Sequence, residues 1–532
     1  MVGELLTVIA LATAQGPPSQ PQGPSALDTT SSVPTLVVHI TVDQFRADYL
    51  DRWRWQLTGG LAQLLRTGAV FTEAYQDHAE TETAPGHATV LSGRNPVSTG
   101  IVNNDEGVSD TSAAGALLDV PGPGASPWRF RGTELFDWIA ARYPAARALS
   151  VSRKDRGAIL PVGRARQQIY WYQSGEFTTS RYYEDSLPAW VRTFNAGLVA
   201  ARAPGLRWDL LLSSADYAEP DSEPYERAGR DFVFPHVLPP DTSAAATLVM
   251  VMPWMDSLTL ALALDGVNHL DLGRGPQPDL LAVSLSTTDA VGHAYGPDSR
   301  EIHDQILRLD RYLGAFLDSL GRLRDPRRIL ISLTADHGVT SYPEWSRAHG
   351  DQDARRVVAD GPIRAAWLAL VQQVGPGSWM DYLGNGLLVL DRPGLAAKGV
   401  DVDSVVAALA AALRRVPGVL RVDTRQTLAA ADTLRDPIAR RWRNLVPPDL
   451  PAELMITLQP HDIWSGSLSA QHGQPSDDDA HVPLIISGRG VRPRRYSTRV
   501  SVVDLAPTLA YLIGVTPLEP VAGRVLTRGL RR

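Results

Sequence analysis

The run from Thr83 to His87, Thr-Ala-Pro-Gly-His, places a hydroxyl group at the predicted start of a helix. Thr83 occupies the expected N-cap position, and Pro85 falls in the first turn, where a missing backbone N–H costs nothing. The amino end of a helix offers unpaired N–H groups and the positive end of the helix dipole, which favour a bound anion such as phosphate. Thr83 is therefore a candidate nucleophile, and a simple capping residue is the alternative interpretation.

Six aspartate and histidine side chains lie beside predicted strands. They are Asp43, Asp289, His293, Asp336, His337 and His472. All but His472 follow a strand, and the carboxyl ends of strands converge on one crevice in a doubly wound sheet. Each residue alone is also explained as a turn residue, but six together would repel one another or stay unsatisfied without cations. Carboxylate and imidazole suit Zn²⁺ and tolerate Mn²⁺ or Fe, and with the Thr83 oxygen they suffice for two ions about 4 Å apart.

The segment Lys154-Asp155-Arg156 presents two cations that could bind phosphate oxygens. In an extended segment Lys154 and Arg156 point the same way, and an Arg guanidinium can bind two phosphate oxygens at once. A phosphomonoester is a dianion and a diester is a monoanion, so two extra cations favour the monoester. Asn103 and Asn104 lie beyond the helix that carries the candidate nucleophile, and either could donate another hydrogen bond. A solvated charge triplet is the alternative interpretation of the Lys/Arg segment.

Near-continuous apolar runs predict the strands that position these residues. Such runs are typical of strands that are covered on both faces, as in a parallel α/β sheet. The runs lie at 35–41, 148–152, 280–285, 329–334 and 482–486, although in 148–152 small and polar residues alternate with Leu149 and Val151. Between the third and fourth runs, apolar residues recur at spacings of four and three over 302–320, which predicts a helix. Strand, helix and strand together predict an α/β fold with a doubly wound, mostly parallel sheet and helices on both faces.

The composition excludes several classes of protein. The 532 residues are 44% hydrophobic and 20% charged, which is enough to bury a large core. A formal net charge of −7 argues against a nucleic-acid-binding protein, which would show a basic stripe. The chain contains no Cys, so disulfides, thiol catalysis and thiolate metal sites are excluded. Beyond the N-terminal segment, no run predicts a stable membrane span.

The ends and the middle of the chain predict a domain organisation. Residues 1–14 have the apolar run and A-x-A ending of a signal peptide, although a basic n-region is missing. Residues 15–33, rich in Pro, Ser, Gly and Gln, are a predicted disordered leader. We expect residues 34–532 to form a catalytic domain with insertions at about 157–270 and about 341–470 that could roof a site. The signal peptide predicts a periplasmic or secreted protein.

The candidate residues resemble, in order and spacing, the motifs of the alkaline phosphatase superfamily. The motifs are Asp43, Thr83-x3-His87, Asp289-x3-His293, Asp336-His337-Gly338 and His472-Gly473. They are most similar to the type I phosphodiesterase/nucleotide pyrophosphatase branch, and the similarity covers essentially the whole chain after the leader. The resemblance implies two Zn²⁺ ions per chain. It also implies a covalent phospho-threonine, formed by metal-activated attack of Thr83 on phosphorus.

The resemblance also assigns the ligands of the two ions. One ion would be held by Asp289, His293 and His472, and the other by Asp43, Asp336, His337 and the Thr83 oxygen. His481 is a rival for the place of His472, but the His-Gly pattern of the family favours His472.

The segment 152–161 closely resembles the Lys/Arg segment of PafA-type alkaline phosphatases. This implies that Lys154, Arg156 and Asn104 bind the phosphoryl group, since the spacing of Asn104 fits better than that of Asn103. We therefore predict a zinc-dependent phosphomonoesterase that hydrolyses small-molecule phosphate monoesters. The alternatives are a phosphodiesterase or nucleotide pyrophosphatase with the same metals, and a non-catalytic metal-binding homologue. A sulfatase would need a Cys or Ser in place of the threonine nucleophile, and the sequence leaves the oligomeric state open.

Overall fold

The computed structural model describes residues 33–197, 204–383, 385–466 and 468–531. The predicted signal peptide and all but the last residue of the predicted leader therefore lie outside the described residues. The strands are β1 Leu36–Val42, β2 Gly68–Tyr75, β3 Ala148–Ser152, β4 Gln168–Gln173, β5 Glu176–Thr178, β6 Arg207–Trp208, β7 His236–Val237, β8 Asp279–Leu285, β9 Ile329–Thr334, β10 Arg356–Val357, β11 Met380–Leu383, β12 Leu387–Leu390, β13 Val419–Asp423, β14 Ala452–Leu458, β15 Ile463–Trp464, β16 His481–Gly488, β17 Arg494–Tyr496 and β18 Val500–Ser501.

A ten-stranded sheet forms the centre of the fold. Its order is β17-β2-β16-β9-β1-β8-β3-β4-β5, and β18 also pairs with β2. The middle strands β9, β1, β8, β3 and β4 run parallel to one another. In contrast, β16 is antiparallel to both of its neighbours, β9 and β2. The predicted α/β class with a mostly parallel sheet is thereby confirmed.

The central strands form from sequence segments that are almost continuously apolar. β1 and β8 are buried at every position, as expected for strands covered on both faces. The five predicted runs correspond to β1, β3, β8, β9 and β16, and their ends differ from the prediction by at most two residues. Apolar patterning therefore places the strands that end at the site.

Helices fill the connections between the strands. The α-helices are Tyr49–Arg52, Gly60–Thr67, Thr83–Val90, Pro96–Thr99, Leu135–Arg142, Asp155–Ile159, Ala189–Gly197, Thr242–Leu248, Trp254–His269, Thr287–Tyr295, Arg300–Leu323, Pro343–Ala348, Asp360–Val374, Arg392–Ala397, Val402–Leu413, Arg425–Ala430, Pro437–Leu445, Asp477–Ala480 and Leu505–Ile513. The helix predicted at 302–320 is Arg300–Leu323, and its predicted apolar stripe is buried in the main core. It begins at Ser299, whose hydroxyl accepts a hydrogen bond from the backbone N–H of Ile302 at 3.1 Å.

The second predicted insertion, about 341–470, contains a separate four-stranded antiparallel sheet in the order β11-β12-β14-β13. The helices Asp360–Val374 and Val402–Leu413 pack with this sheet around a second hydrophobic core. We call residues 356–464 the inserted unit. The first predicted insertion, about 157–270, contributes β4 and β5 to the main sheet. The domain boundaries themselves stay a prediction.

Within the described ranges, no single helix is both long and apolar enough to cross a bilayer. The helical segments Thr242–Val251 and Trp254–His269 reach that length and apolar character only when taken together, and a bend of 87° separates them. In this structure Met255 and Leu262 of the second half are fully buried in the main core.

Candidate active site

Five of the six predicted metal ligands lie beyond the carboxyl ends of parallel strands. Asp43 directly follows β1, and Asp336 and His337 lie just beyond β9. Asp289 and His293 lie on the helix that follows β8, and their spacing of four residues places them on one side of it. The three strands are neighbours in the sheet, so these side chains meet at one edge.

His472 reaches the same edge because of the direction of β16. This strand is antiparallel to β9, so the loop that precedes β16 lies where the parallel strands end. The loop carries His472. Strand patterning alone does not show this reversal.

Asp289, His293 and His472 form one compact group of donor atoms, called the first trio below. Asp289 Oδ1 lies 3.3 Å from His293 Nε2 and 3.7 Å from His472 Nε2, and the two imidazole nitrogens are 3.1 Å apart. Ligands of a tetrahedral Zn²⁺ at about 2.0–2.1 Å lie about 3.3 Å from one another. Nδ1 of His293 donates to the carbonyl of Ala470, and Nδ1 of His472 donates to the carbonyl of Thr81. Both Nε2 atoms are therefore able to bind a metal.

Asp43, Asp336 and His337 form the second trio, and all three are fully buried. His337 Nε2 lies 3.4 Å from Asp43 Oδ1 and 3.6 Å from Asp336 Oδ2, and Nδ1 donates to the carbonyl of Gly338 at 2.8 Å. Neither Asp43 Oδ1 nor His337 Nε2 has a hydrogen-bond partner among the described residues. Buried polar atoms need a partner, so this donor set fits a divalent metal ion.

The two trios adjoin one another. The ring centroids of His337 and His472 are 3.7 Å apart, and donor atoms of Asp289, His337 and His472 lie within 4.8 Å of one another. The rival ligand His481 belongs to neither trio, because it lies on β16 and its Nε2 donates to the carbonyl of Thr72 at 2.7 Å. The structure thus gathers all six predicted ligands and leaves the rival outside.

Charges within the site oppose the effect of burial on its carboxylates. Burial and Asp289 raise the pKa of Asp43, but Lys154 and His337 outweigh them and hold it well below its usual value. Burial also raises the pKa of Asp289, and Lys154 reverses this effect. Burial and the neighbouring His337 lower the pKa of His472 to about 3. Ionised carboxylates and a neutral His472 are the protonation states that bind cations.

Thr83 lies at the start of its helix and is linked to both trios through Lys154. Glu82, with an extended backbone, is the N-cap residue and Thr83 is the first helical residue, so the predicted N-cap position is wrong by one. Thr83 is 1% exposed, and its hydroxyl lies 3.0 Å from Nζ of Lys154. The same ammonium lies 2.6 Å from Asp43 Oδ2 and 2.8 Å from Asp289 Oδ2. Lys154 therefore contacts the candidate nucleophile and both trios.

The segment after β3 is not extended, which corrects the prediction. Lys154 is the N-cap residue of the helix Asp155–Ile159, and Arg156 lies within that helix. The backbone N–H of Lys154 donates to Ser152 Oγ at 3.1 Å, and the chain then turns from the strand into the helix. Arg156 Nε is buried and has no hydrogen-bond partner in the described part of the chain. The prediction that Lys154 and Arg156 point the same way because the chain is extended is therefore wrong in its reason.

Asn104, rather than Asn103, contacts the helix that carries Thr83. Asn104 Oδ1 accepts a hydrogen bond from the backbone N–H of Ala84 at 2.8 Å. Asn103 Oδ1 instead accepts from the backbone N–H of Glu106 at 2.9 Å, within its own turn. Because the Asn104 oxygen is bound to the helix, its amide nitrogen is the group left to donate to a ligand.

Two residues at the site had no predicted role. His87 Nδ1 donates to the carbonyl of Thr83 at 2.8 Å, and the same nitrogen lies 3.1 Å from Asp336 Oδ2. Gln44 donates from its backbone N–H to Asp336 Oδ1 at 3.1 Å, and from Nε2 to Asp289 Oδ1 at 3.0 Å. The spacing of four residues between Thr83 and His87 is a sequence signal for the first contact. We find no comparable signal for Gln44.

The sequence matches the model of one protein family, type I phosphodiesterase / nucleotide pyrophosphatase, over residues 37–375. The chain belongs to this family, as its motifs predicted. It is 31% identical to the alkaline phosphatase PhoK of Sphingomonas sp over 530 residues, which cover 94% of this chain and 92% of the relative. It is 29% identical to the alkaline phosphatase PafA of Elizabethkingia meningoseptica, over 94% of this chain and 95% of the relative.

The similarity extends to solved structures. The crystal structure of wild-type PafA superposes with a TM-score of 0.85 and 26% identity, covering 94% of this chain and 99% of that chain. Murine ectonucleotide pyrophosphatase / phosphodiesterase 5 is 14% identical, with a TM-score of 0.51 over 92% of this chain and 97% of its own. The second likeness shows a common fold only.

Proposed function

We propose that this protein is a metal-dependent alkaline phosphatase that hydrolyses phosphate monoesters. The observation that carries the proposal is the position of Lys154 Nζ, 3.0 Å from Thr83 Oγ1 and in contact with both trios. An ammonium at this point can stabilise the second negative charge that distinguishes a monoester from a diester. PhoK and PafA are alkaline phosphatases, which supports the same assignment.

We propose Zn²⁺ as the metal, with two ions per chain. The trios offer only carboxylate and imidazole, and the spacing in the first trio suits tetrahedral Zn²⁺. Asp289, His293 and His472 would hold one ion, and Asp43, Asp336 and His337, together with the Thr83 oxygen, would hold the other. When bound, the ions would lower the pKa of the Thr83 hydroxyl and stabilise charge on the leaving oxygen.

The protein's own residues supply the nucleophile and the donors. The Thr83 hydroxyl gives up its proton to solvent and Oγ attacks phosphorus; the bond from phosphorus to the ester oxygen breaks, and that oxygen takes a proton from solvent to leave as the alcohol. Water then cleaves the phospho-threonine and releases phosphate. Lys154 and the backbone N–H of Thr83, at the start of the nucleophile helix, stabilise charge on the phosphoryl oxygens. The Asn104 amide nitrogen and the Arg156 guanidinium supply further donors. A solved PafA variant has a Thr replaced by Ser and an Asn, a Lys and an Arg replaced by Ala, the residue types proposed here.

The experiment is a comparison of kcat/KM for p-nitrophenyl phosphate and bis(p-nitrophenyl) phosphate with Zn²⁺ present. We expect the monoester to be favoured by about a hundredfold or more, because Lys154 and Arg156 bind an additional negative charge only on the monoester. A higher kcat/KM for the diester would contradict the proposal. It would favour a phosphodiesterase, the activity in the name of the family.

We also propose export of the mature protein to the periplasm or the outside of the cell. The apolar segment at residues 1–14 with its A-x-A ending supports this assignment. N-terminal sequencing of the enzyme from a cell fraction outside the cytoplasm should begin after residue 14. Recovery of the uncleaved chain only in the cytoplasm would contradict export.

A further inference from the structure

Two buried glutamates, Glu80 and Glu82, lie just before the nucleophile in the sequence, and one residue of the inserted unit contacts both. Asn385 lies in the turn between β11 and β12. Its Nδ2 donates to Glu82 Oε1 at 2.7 Å, and its backbone N–H donates to Glu80 Oε2 at 2.7 Å. The inserted unit therefore contacts the segment that leads into Thr83.

The second oxygen of Glu82 continues this contact to Asn104. The backbone N–H of Asn104 donates to Glu82 Oε2 at 2.7 Å, and Asn104 Oδ1 accepts from the backbone N–H of Ala84 at 2.8 Å. A continuous series of hydrogen bonds thus runs from Asn385 through Glu82 to Asn104, and from there to the residue after Thr83.

The glutamates are costly to bury, so these hydrogen bonds are needed to hold them. Glu80 is 0% exposed and Glu82 is 7% exposed. Burial raises the pKa of Glu82, and the nearby Arg156 partly offsets this. Asn385 is itself held, because its carbonyl accepts from Trp464 Nε1 at 2.7 Å. A side chain at position 473, next to the ligand His472, would overlap Asn385, so Gly is required there.

We propose that Asn385 is a positioning residue that acts through Glu82 to place Asn104 for binding of the phosphoryl group. Without the bond from Asn385, the Glu82 carboxylate has one fewer donor and is free to turn away from the Asn104 backbone. The inserted unit then sets the strength of phosphoryl binding without touching the substrate. This inference rests on the proposed function, which assigns Asn104 to the phosphoryl group.

The test exchanges the amide and the carboxylate between the two positions. In the single variant Asn385→Asp, the new carboxylate faces the Glu82 carboxylate and the hydrogen bond between the two side chains is replaced by repulsion. We expect kcat/KM for p-nitrophenyl phosphate to fall about tenfold or more. In the double variant Asn385→Asp/Glu82→Gln, the new amide at 82 can donate to the new carboxylate at 385. Its oxygen still accepts from the backbone N–H of Asn104. We expect the double variant to return to within about threefold of the wild type.

Two controls separate positioning from general damage. Gln373→Glu adds the same charge at an exposed position of the inserted unit and should leave kcat/KM unchanged. Asn385→Ala removes the side-chain donor without adding charge. It should lower kcat/KM with little change in Tm, and the loss should largely disappear when Asn104 is already Ala.

The outcomes distinguish this inference from the proposed function. Wild-type kcat/KM in Asn385→Ala overturns the positioning role, and so does a loss that adds fully to that of Asn104→Ala. The positioning role is also overturned if the double variant folds with a normal Tm but its kcat/KM stays as low as that of Asn385→Asp. If Asn104→Ala itself has wild-type kcat/KM, the assignment of Asn104 in the proposed function is wrong, and the inference is overturned with it.

Discussion

At the scale of single residues, His87 connects the candidate nucleophile to a metal ligand. Its Nδ1 contacts two acceptors, the Thr83 carbonyl and Asp336 Oδ2, so this nitrogen must carry the hydrogen. Nε2 is then the acceptor for the hydroxyl of Ser284 at 2.8 Å. One tautomer satisfies the hydrogen bonds to Thr83 and Ser284, and it places Nδ1 beside the Asp336 carboxylate.

Two substitutions of His87 separate its two ring nitrogens. In His87→Asn the amide nitrogen is attached at Cγ, as Nδ1 is, and can still donate to the Thr83 carbonyl beside Asp336. In His87→Gln the amide lies one atom further out, near the place of Nε2. We expect His87→Gln to lose about tenfold more kcat/KM than His87→Asn, together with metal. Equal losses in both variants, measured by initial rates and metal content, would show that His87 only fills space.

Lys154 and Arg156 determine the preference for monoesters in this account. Replacing both with Ala should lower kcat/KM for p-nitrophenyl phosphate by about a thousandfold or more, because each charge-assisted contact contributes about 2–4 kcal/mol. The loss on bis(p-nitrophenyl) phosphate should be much smaller. Equal losses on both substrates would mean that the pair supports the fold or the metal ligands.

At the scale of the elements, the strands could be predicted and the short helices and one strand direction could not. β1, β8 and β9 are apolar because both faces are covered, so sequence patterning located them and the ligands that follow them. The helix Asp155–Ile159 has five residues, too few to show a helical period, and the sequence therefore predicted an extended segment. The position of His472 at the site could be predicted from the family pattern only. The apolar run of β16 does not indicate whether the strand is parallel or antiparallel to its neighbours.

The helix Thr83–Val90 packs closely on the loop after β9 through Gly86. A β-carbon at this position would overlap the backbone of Asp336. Gly86→Ala should therefore displace the nucleophile from the second trio and lower both metal content and kcat/KM. Gly361→Ala, at a helical position with open space around it, is the matched control and should retain both. A Gly86→Ala enzyme with wild-type metal content and rate would contradict this packing role.

At the scale of the whole molecule, the site joins parts of the chain that are far apart in sequence. Glu82 and Asn385 are 303 residues apart, and Thr83 and Lys154 are 71 apart. The first contact joins the inserted unit to the segment before Thr83, and no local pattern predicts it. The second was reached through the resemblance of the Lys/Arg segment rather than through physical reasoning on its spacing. The meeting of the five candidate ligands that follow parallel strands could be predicted, because strand ends in a parallel sheet converge.

Removal of metal should inactivate the whole enzyme. A chelator should abolish turnover, Zn²⁺ should restore it, and metal analysis should give two ions per chain. Asp289→Ala and His337→Ala should each lose metal as well as rate, whereas His349→Ala, at an exposed histidine outside the trios, should keep both. One ion per chain in the active enzyme, or full activity in excess chelator, would contradict the two-metal site.

The central claim is that Thr83 accepts the phosphoryl group before water does. The most direct measurement is the stereochemical outcome at phosphorus, with a chiral monoester whose phosphoryl group is transferred to an alcohol acceptor. Two successive in-line displacements, first by Thr83 and then by the acceptor, each invert the configuration, so the account predicts net retention. Net inversion would mean a single direct displacement and would contradict a phospho-threonine at Thr83.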